Sequence, residues 1–593
     1  MQLSQKQLLI SVSLLLAASL LLVLVALDRY RPAPVTGAPA ATPTDVLAAV
    51  QPDAAEPAPA PTPTDQPAGP VEPPELQAAS ARDLLILAMP DGLYTHLFAY
   101  HPVHLPLTRL TDGPHDDISP AVDPTGTRVA YASRESGFWD IYLLDLTDGS
   151  RTQLTDTPEY DGHPSWSPDG LWLVYETYLD NNLELVIQGV DQENSQPIRL
   201  TQNEAADFSP AWSPQGREIA FVSDRSGDQE IWSARLDFVL DRFVNLSGSP
   251  GSQEASPRWG PDGQTIAWSS VFPGSAEVYL LDRSQPGEAI RQVGGGRGPV
   301  WSPDGRLLAV ENQGPNATGL AFFSPDSATL AYPPVQLPGA LAGLAWFNCP
   351  EGVSPEAIGT PAAFNLAALY EPIITAPAGE DGRTEVVPLK EVKAPFPYLH
   401  DAVNEAFDAL RAAAGQAAGW DVLFSLENAF IPLTDPVSPG GSDAWLNTGR
   451  GFALDAAALQ AGWMVVVPEH HLDQTYWRVY VKARRQDGSQ GQPLHAMVWD
   501  LDARSRGDLE AYENGGVFAP VPSGYWLDFT DLAARFGWKR LPAMHNWRSY
   551  YPAARFNQFV HVSGLDWTRA MLELYPAEVL TPEPGYDSGV SRP

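Results

Sequence analysis

The segment PAWSPQGREIAFVSDRSGDQEIWSARL, residues 210–236, decides the fold. Its Ser-Pro-Gln-Gly carries hairpin-turn chemistry, because proline presets φ and glycine accepts the left-handed conformation that closes the turn. The runs EIAFVS and IWSARL that follow are β-rich, and a second turn, SDRSGD, separates them. Working outward, the same pattern recurs as PAVDPTGTRVAYASRESGFWDIYLLDL from Pro120 and PSWSPDGLWLVYETYLDNNLELVIQGV from Pro164. It returns as PRWGPDGQTIAWSSVFPGSAEVYLLDR from Pro257 and PVWSPDGRLLAVENQ from Pro299. The second proline of each unit is Pro124, Pro168, Pro214, Pro261 and Pro303, at spacings of 42 to 47 residues. A sixth start, LAGLAWFN, puts Trp346 45 residues after Trp301. Units also end in a short strand closing on Leu-Thr, as at Leu154-Thr155 and Leu200-Thr201. Four short strands in about 45 residues is the period of a β-propeller blade.

Residues 84–111 read as the last two strands of a blade, and Trp346 opens a blade that lacks them. Joined, they close a six-bladed ring and remove its exposed sheet edges. The tryptophan before each turn (Trp166, Trp212, Trp259, Trp301) is expected to pack between neighbouring blades. Three positions before the first proline of each unit stand Asp117, Asp161, Asp207 and Glu254, with Gly296 in the fifth. Rotational repetition predicts four carboxylates around one rim of the channel. They either cap their own turns or bind something positive, an oxygen-coordinated cation such as Ca²⁺ or a basic peptide. No other cofactor is expected.

These units resemble the TolB-like propeller family, whose repeats share the P-x-W-S-P-D-G-x-x-I-A-F-x-S core, and the resemblance covers residues 83–350. It implies a non-catalytic, extracytoplasmic platform for a protein or peptide partner. Similar blades precede the catalytic domain of prolyl-oligopeptidase-type serine peptidases, but those need a G-x-S-x-G nucleophile elbow. The chain has none; Gly441-Ser442 and Gly488-Ser489 lack the spacing.

The rest of the chain surrounds this ring. Residues 1–7 precede twenty uncharged positions, Leu8 to Leu27, long enough to cross a bilayer and expected to be an uncleaved signal-anchor. Residues 28–82 are rich in Pro and Ala and are expected to be a disordered, extended tether holding the bulk outside a bacterial membrane, in the periplasm or at the cell surface. Across all 593 residues, 72 acidic side chains face 36 basic ones, a net charge of −36, which argues against nucleic acid as a partner. The single cysteine, Cys349, excludes an intramolecular disulfide or a cysteine-based metal centre.

After a junction at 351–390, residues 391–576 read as an α+β domain, with a helix over Leu399–Ala413 and a tail at 577–593 expected to be disordered. The order helix, hydrophobic strand, Gly451-x-Ala453-x-Asp455, then Gly-Trp and Trp, resembles the zinc D-alanyl-D-alanine carboxypeptidases that trim cell-wall peptides. The family's first ligand histidine falls on Thr448 and the preceding serine on Leu446. Its final D-x-x-H-F-E falls on Pro552, Arg555, Phe556 and Asn557, and its substrate-gripping arginine on Asn428. Zinc in such a site needs two histidines and a carboxylate, so the resemblance implies a peptidase-like fold without its chemistry. A groove for cell-wall peptide or glycan is the function that would survive. His470 and His471 are neighbours on one strand, and His400, His495, His545 and His561 are scattered without ligand spacing. The expected architecture is mainly β: a transmembrane helix, a six-bladed propeller and a degenerate peptidase-like domain. The expected role is non-enzymatic binding at the cell envelope, and the alternative is a zinc peptidase with a metal site of another kind.

Overall fold

A computed structural model describes residues 82–580, apart from 193–194, 272–275, 285–289, 363–368, 375–382 and 440–442. The expected signal-anchor at 8–27, the tether before residue 82 and the tail from 581 lie outside the described residues. Among the described residues no helix is long and apolar enough to cross a membrane.

The five aligned repeats form five four-stranded antiparallel sheets. Their innermost strands are Asp117–Val122, Asp161–Trp166, Asp207–Trp212, Gln253–Trp259 and Arg297–Trp301. The turn chemistry explains each hairpin. In the second repeat Gly170 adopts φ +70°, its N–H donates to the Ser167 carbonyl at 2.9 Å, and Asp169 accepts the Leu171 N–H at 3.1 Å. The closing Leu-Thr is equally specific: the hydroxyls of Thr155 and Thr201 accept the N–H groups of Ile141 and Leu185, each at 2.9 Å, tying the last strand to the third. Three of the four turn tryptophans reach the preceding blade. Trp166, Trp259 and Trp301 donate their indole N–H to the carbonyls of Ala121, Ala211 and Arg258. Trp212 instead bonds to Gly216 in its own turn.

The sixth blade closes the ring, but with a different division of strands from the expected two and two. Its inner strand is Leu344–Asn348, and the N-terminal side supplies three strands, Asp83–Asp91, Tyr94–His101 and Leu105–Arg109. The run LLILAMP is itself a strand, pairing Asp83 with Asn348 and Leu87 with Leu344. It is buried on both sides, so it lacks the polar alternation and turn motif that mark the other units. Thr360–Pro361 adds a fifth strand on the outer edge. Part of the 351–390 junction is therefore built into the fold.

The C-terminal region is α+β. The helix runs Asn404–Ala418, five residues later than expected at each end. Its start is delayed because Tyr398–His400 pairs with Val386–Pro388 as a strand, and it stops at Gly419 in the left-handed conformation, φ +76°. Val403, Phe407 and Leu410 are fully buried, as the periodicity predicts. The helix packs on a sheet ordered Leu426–Asn428, Gly451–Leu454, Gln558–Val560, Lys539–Arg540. Phe407, Phe452, Trp538 and Phe559 interlock between them in edge-on and stacked pairs. A second sheet joins Met464–His471, Gln474–Lys482 and Trp526–Asp528, followed by the helix Phe529–Arg535. Trp477, Trp526 and Trp538 are buried, and Trp463 is exposed. Ala577–Leu580, the start of the expected tail, forms a short helix.

Candidate functional site

The carboxylates expected on the channel rim sit at or next to the first residue of an inner strand, as the repeat predicts, but they point into the protein. Asp117, Asp161, Asp207 and Glu254 are no more than 2% exposed. Each meets groups of the propeller itself. Asp117 lies 3.6 Å from His96 Nδ1 and 3.7 Å from His115 Nε2. Asp161 accepts the Thr157 hydroxyl. Asp207 accepts the Asn203 side-chain amide and Nη2 of Arg225, and Glu254 accepts the Ile231 N–H. Burial pushes the carboxyls of Asp161 and Glu254 up to about 7. The four carboxylates that the repeat places around one rim are thus buried among the propeller's own groups.

One mouth of the propeller is covered by the C-terminal region. The loop after strand Gln474–Lys482 lies against the blades, where Arg134 donates to the Ser489 carbonyl and Trp139 Nε1 donates to the Gly491 carbonyl at 3.1 Å. Gln229 Nε2 donates to the His495 carbonyl at 3.1 Å. Around the edge, Tyr178 accepts the Gly524 N–H at 2.6 Å. Arg535 donates to the Leu93 carbonyl at 2.7 Å, and Arg540 donates to the Pro315 carbonyl at 3.1 Å. Glu469 is enclosed by Arg478 at 2.7 Å, Arg540 at 2.6 Å and, from the propeller, Arg297 at 3.4 Å. Burial would raise its carboxyl, but the three guanidinium groups hold it well below the usual range.

Two features of this junction could act on a ligand. The first is a cavity of about 770 Å³ walled by both regions. Arg134, Arg297 and Glu311 line it from the propeller, and Gln416, Arg485 and Asp528 line it from the C-terminal region. Mixed charge over apolar patches suits a zwitterionic or peptide-like occupant.

The second is a side-chain cluster at the loop tip. His163 Nδ1 lies 2.7 Å from Glu176 Oε1, and His495 Nε2 reaches the same oxygen at 2.5 Å. The Tyr160 hydroxyl donates to that oxygen at 3.1 Å, while Glu176 Oε2 accepts the Ser209 N–H at 2.7 Å. Glu176 is fully buried; the side chains of His163 and His495 are 30% and 24% exposed. Burial would raise the Glu176 carboxyl, but the two imidazoles beside it outweigh that and hold it well below the usual carboxylate range. The sequence hides this grouping: His495 stands 319 residues from Glu176.

The residues at the peptidase-like positions are bound into their own surroundings. Thr448 is buried and donates to the Trp445 carbonyl. Gly451 and Ala453 lie in the strand Gly451–Leu454. Asp455 accepts the Ser425 hydroxyl at 2.8 Å and the Ala457 N–H. Arg555 grips Asp443 with both terminal nitrogens, at 3.0 and 2.9 Å. Asn557 donates to Glu427 and to the Leu454 carbonyl. Among the described residues, the one grouping of three or more His, Cys, Asp or Glu side chains close enough to hold a metal is the cluster at Glu176.

Residues 107–249 match the family model described as PD40, TolB beta propeller domain. The chain is 44% identical over 72 residues to dipeptidyl-peptidase 5 of Porphyromonas endodontalis, covering 10% of either protein. It is 35% identical over 122 residues to the TolB homolog of Chlorobium luteolum, covering 21% of this chain and 27% of that protein. The chain thus spans about a tenth and about a quarter of the length of these relatives. Among solved structures, TolB from Acinetobacter baumannii aligns over 44% of this chain and 66% of that one, at 23% identity and a TM-score of 0.40. Within the β-propeller, residues 107–249 are thus similar to TolB-like PD40 repeats.

Proposed function

We propose that the protein is a membrane-tethered binding protein of the cell envelope, in which the TolB-like propeller and the 391–576 domain together hold a protein or peptide segment. The observation that carries this reading is the cavity of about 770 Å³ whose walls come from both regions. Its lining of arginines and carboxylates offers partners to charged side chains and to chain termini. The apolar stretch 8–27 and the proline-rich spacer after it supply the tether that places this cavity outside a bacterial membrane. The net charge of −36 favours basic partners and speeds their approach. The role is non-enzymatic: at the peptidase-like positions Thr448, Asn557 and Arg555 are engaged with neighbouring protein groups and offer no histidine.

Gln416 faces the cavity from the helix Asn404–Ala418 and is otherwise exposed, so Gln416→Trp fills the space with little strain on the fold. Chemical cross-linking of the full chain in envelope extract should yield a defined partner set that Gln416→Trp depletes. Equal capture by both forms would refute the cavity as the binding site. A zinc peptidase would instead cleave D-alanyl-D-alanine peptides, chelator-sensitively, and lose that activity in Asp455→Ala. The expected result is no cleavage by either form.

A further inference from the structure

The propeller's repeats provide an internal control for the cluster at Glu176. His163 precedes the first proline of its unit, where the sister blades carry Ser119, Ser209, Ser256 and Gly298, all with positive φ. Glu176 pairs with Gly162 across the two inner strands. At the matching register the other blades hold Ala132, Val222, Ser269 and Glu311. Blade architecture therefore requires neither the histidine nor the glutamate. One blade alone combines them, and the tip of the C-terminal loop brings His495 to that blade.

We propose that His163, Glu176 and His495 form a zinc site that fastens the C-terminal domain to the propeller. Two imidazole nitrogens and one carboxylate oxygen are a zinc ligand set, whereas Ca²⁺ takes oxygen ligands throughout. The three donor atoms lie within 4.8 Å of one another. Bonds of about 2.0–2.1 Å in tetrahedral array separate ligand atoms by about 3.3 Å, so a modest outward shift of the two rings makes room for the ion. The surroundings already orient the ligands. Ser209 N–H holds the distal oxygen of Glu176, as outer partners of metal carboxylates do. His495 is set by its carbonyl bond to Gln229 and by edge-on packing of its ring against Phe208 at 5.3 Å and Tyr160 at 6.2 Å. The partly exposed imidazoles leave an approach for the ion and for a water as fourth ligand. Because the ligands come from two domains, zinc bound here stabilises their contact by mass action.

The test uses the full chain in detergent, stripped with chelator and then dialysed against zinc. The expected outcome is about one zinc per chain, a raised thermal midpoint, and, with Co²⁺ in place of zinc, the visible absorption of a low-symmetry nitrogen–oxygen site. His163→Ser, which installs the residue of three sister blades, and His495→Ala should each weaken zinc by more than the roughly hundredfold that an outer partner commands. Both should keep the wild-type circular dichroism. Absence of stoichiometric zinc, or zinc retained unchanged in both variants, would overturn the site and leave the cluster a hydrogen-bonded carboxylate.

Discussion

Arg225 places Nη2 2.7 Å from each oxygen of Asp207, inside a single blade. The guanidinium is stacked over Phe221, Trp232 and Phe243, the last at 4.5 Å. This pair shows what one inner-strand carboxylate does: it serves as the counter-ion of an arginine in its own blade. Asp207→Asn leaves the Arg225 charge short of its counter-ion in a nearly dry setting and should cost about 2 kcal/mol. Chemical denaturation of the full chain measures it. An unshifted midpoint together with weakened partner binding would restore the carboxylate to a ligand-facing role.

Asp161 gives the opposite expectation. Burial, its largest influence, pushes its carboxyl up to about 7. Below about pH 4 the carboxyl is protonated in both folded and unfolded chains and costs nothing. Between about pH 4 and 7 the unfolded chain releases the proton while the folded one keeps it, so stability falls by up to about 4 kcal/mol. Asp161→Asn, neutral at every pH, should flatten that decline and leave the variant relatively more stable at pH 8 than at pH 4. Midpoints recorded across that range decide the matter, and parallel curves would refute it.

Glu469 titrates in the other direction because three arginines surround it. Its lowered pKa contributes stability that is present above the unfolded value of about 4.3 and is lost as pH falls through the folded value. Glu469→Gln should therefore destabilise the protein by about 3 kcal/mol at pH 7, with the difference closing in acid. The signature is a midpoint difference that shrinks on acidification; a constant difference would assign the loss to packing alone.

Gly488 lies at φ +84° where the loop touches the propeller, and a β-carbon there would run into the Pro158 carbonyl oxygen. Gly488→Ala should lift this stretch of loop without unfolding either region. Hydrogen exchange should rise in residues 484–496 and remain unchanged in the blade strands. Equal protection in both forms would mean that the loop accommodates the methyl group.

The propeller was legible because its turns are chemical events repeated five times, and each Pro-x-Gly resolves to the same positive-φ hairpin. The division of the sixth blade was not, since LLILAM is a buried run whose only marker is apolarity. For the carboxylates, position could be read from the repeat, but not whether a side chain at a strand's first residue turns outward or inward; that depends on partners such as Arg225 and His96. The cluster at Glu176 was illegible for a different reason. His163 and Glu176 are ordinary blade positions, and only docking of the C-terminal loop delivers His495. No local spacing encodes an encounter between residues 319 positions apart.

The closing blade also governs how the protein must fold. Asp83 meets Asn348 across 265 residues of chain, so the ring cannot be sealed until the last inner strand has been made. Until then the strand Asp83–Asp91 presents an unpaired edge and the fifth repeat's blade an uncovered apolar face. Such long-range pairing is slow, and unpaired edges invite joining to another copy. Ring closure is therefore the step at which a chaperone, or a neighbouring copy of the chain, competes with the protein's own Leu344–Asn348 strand.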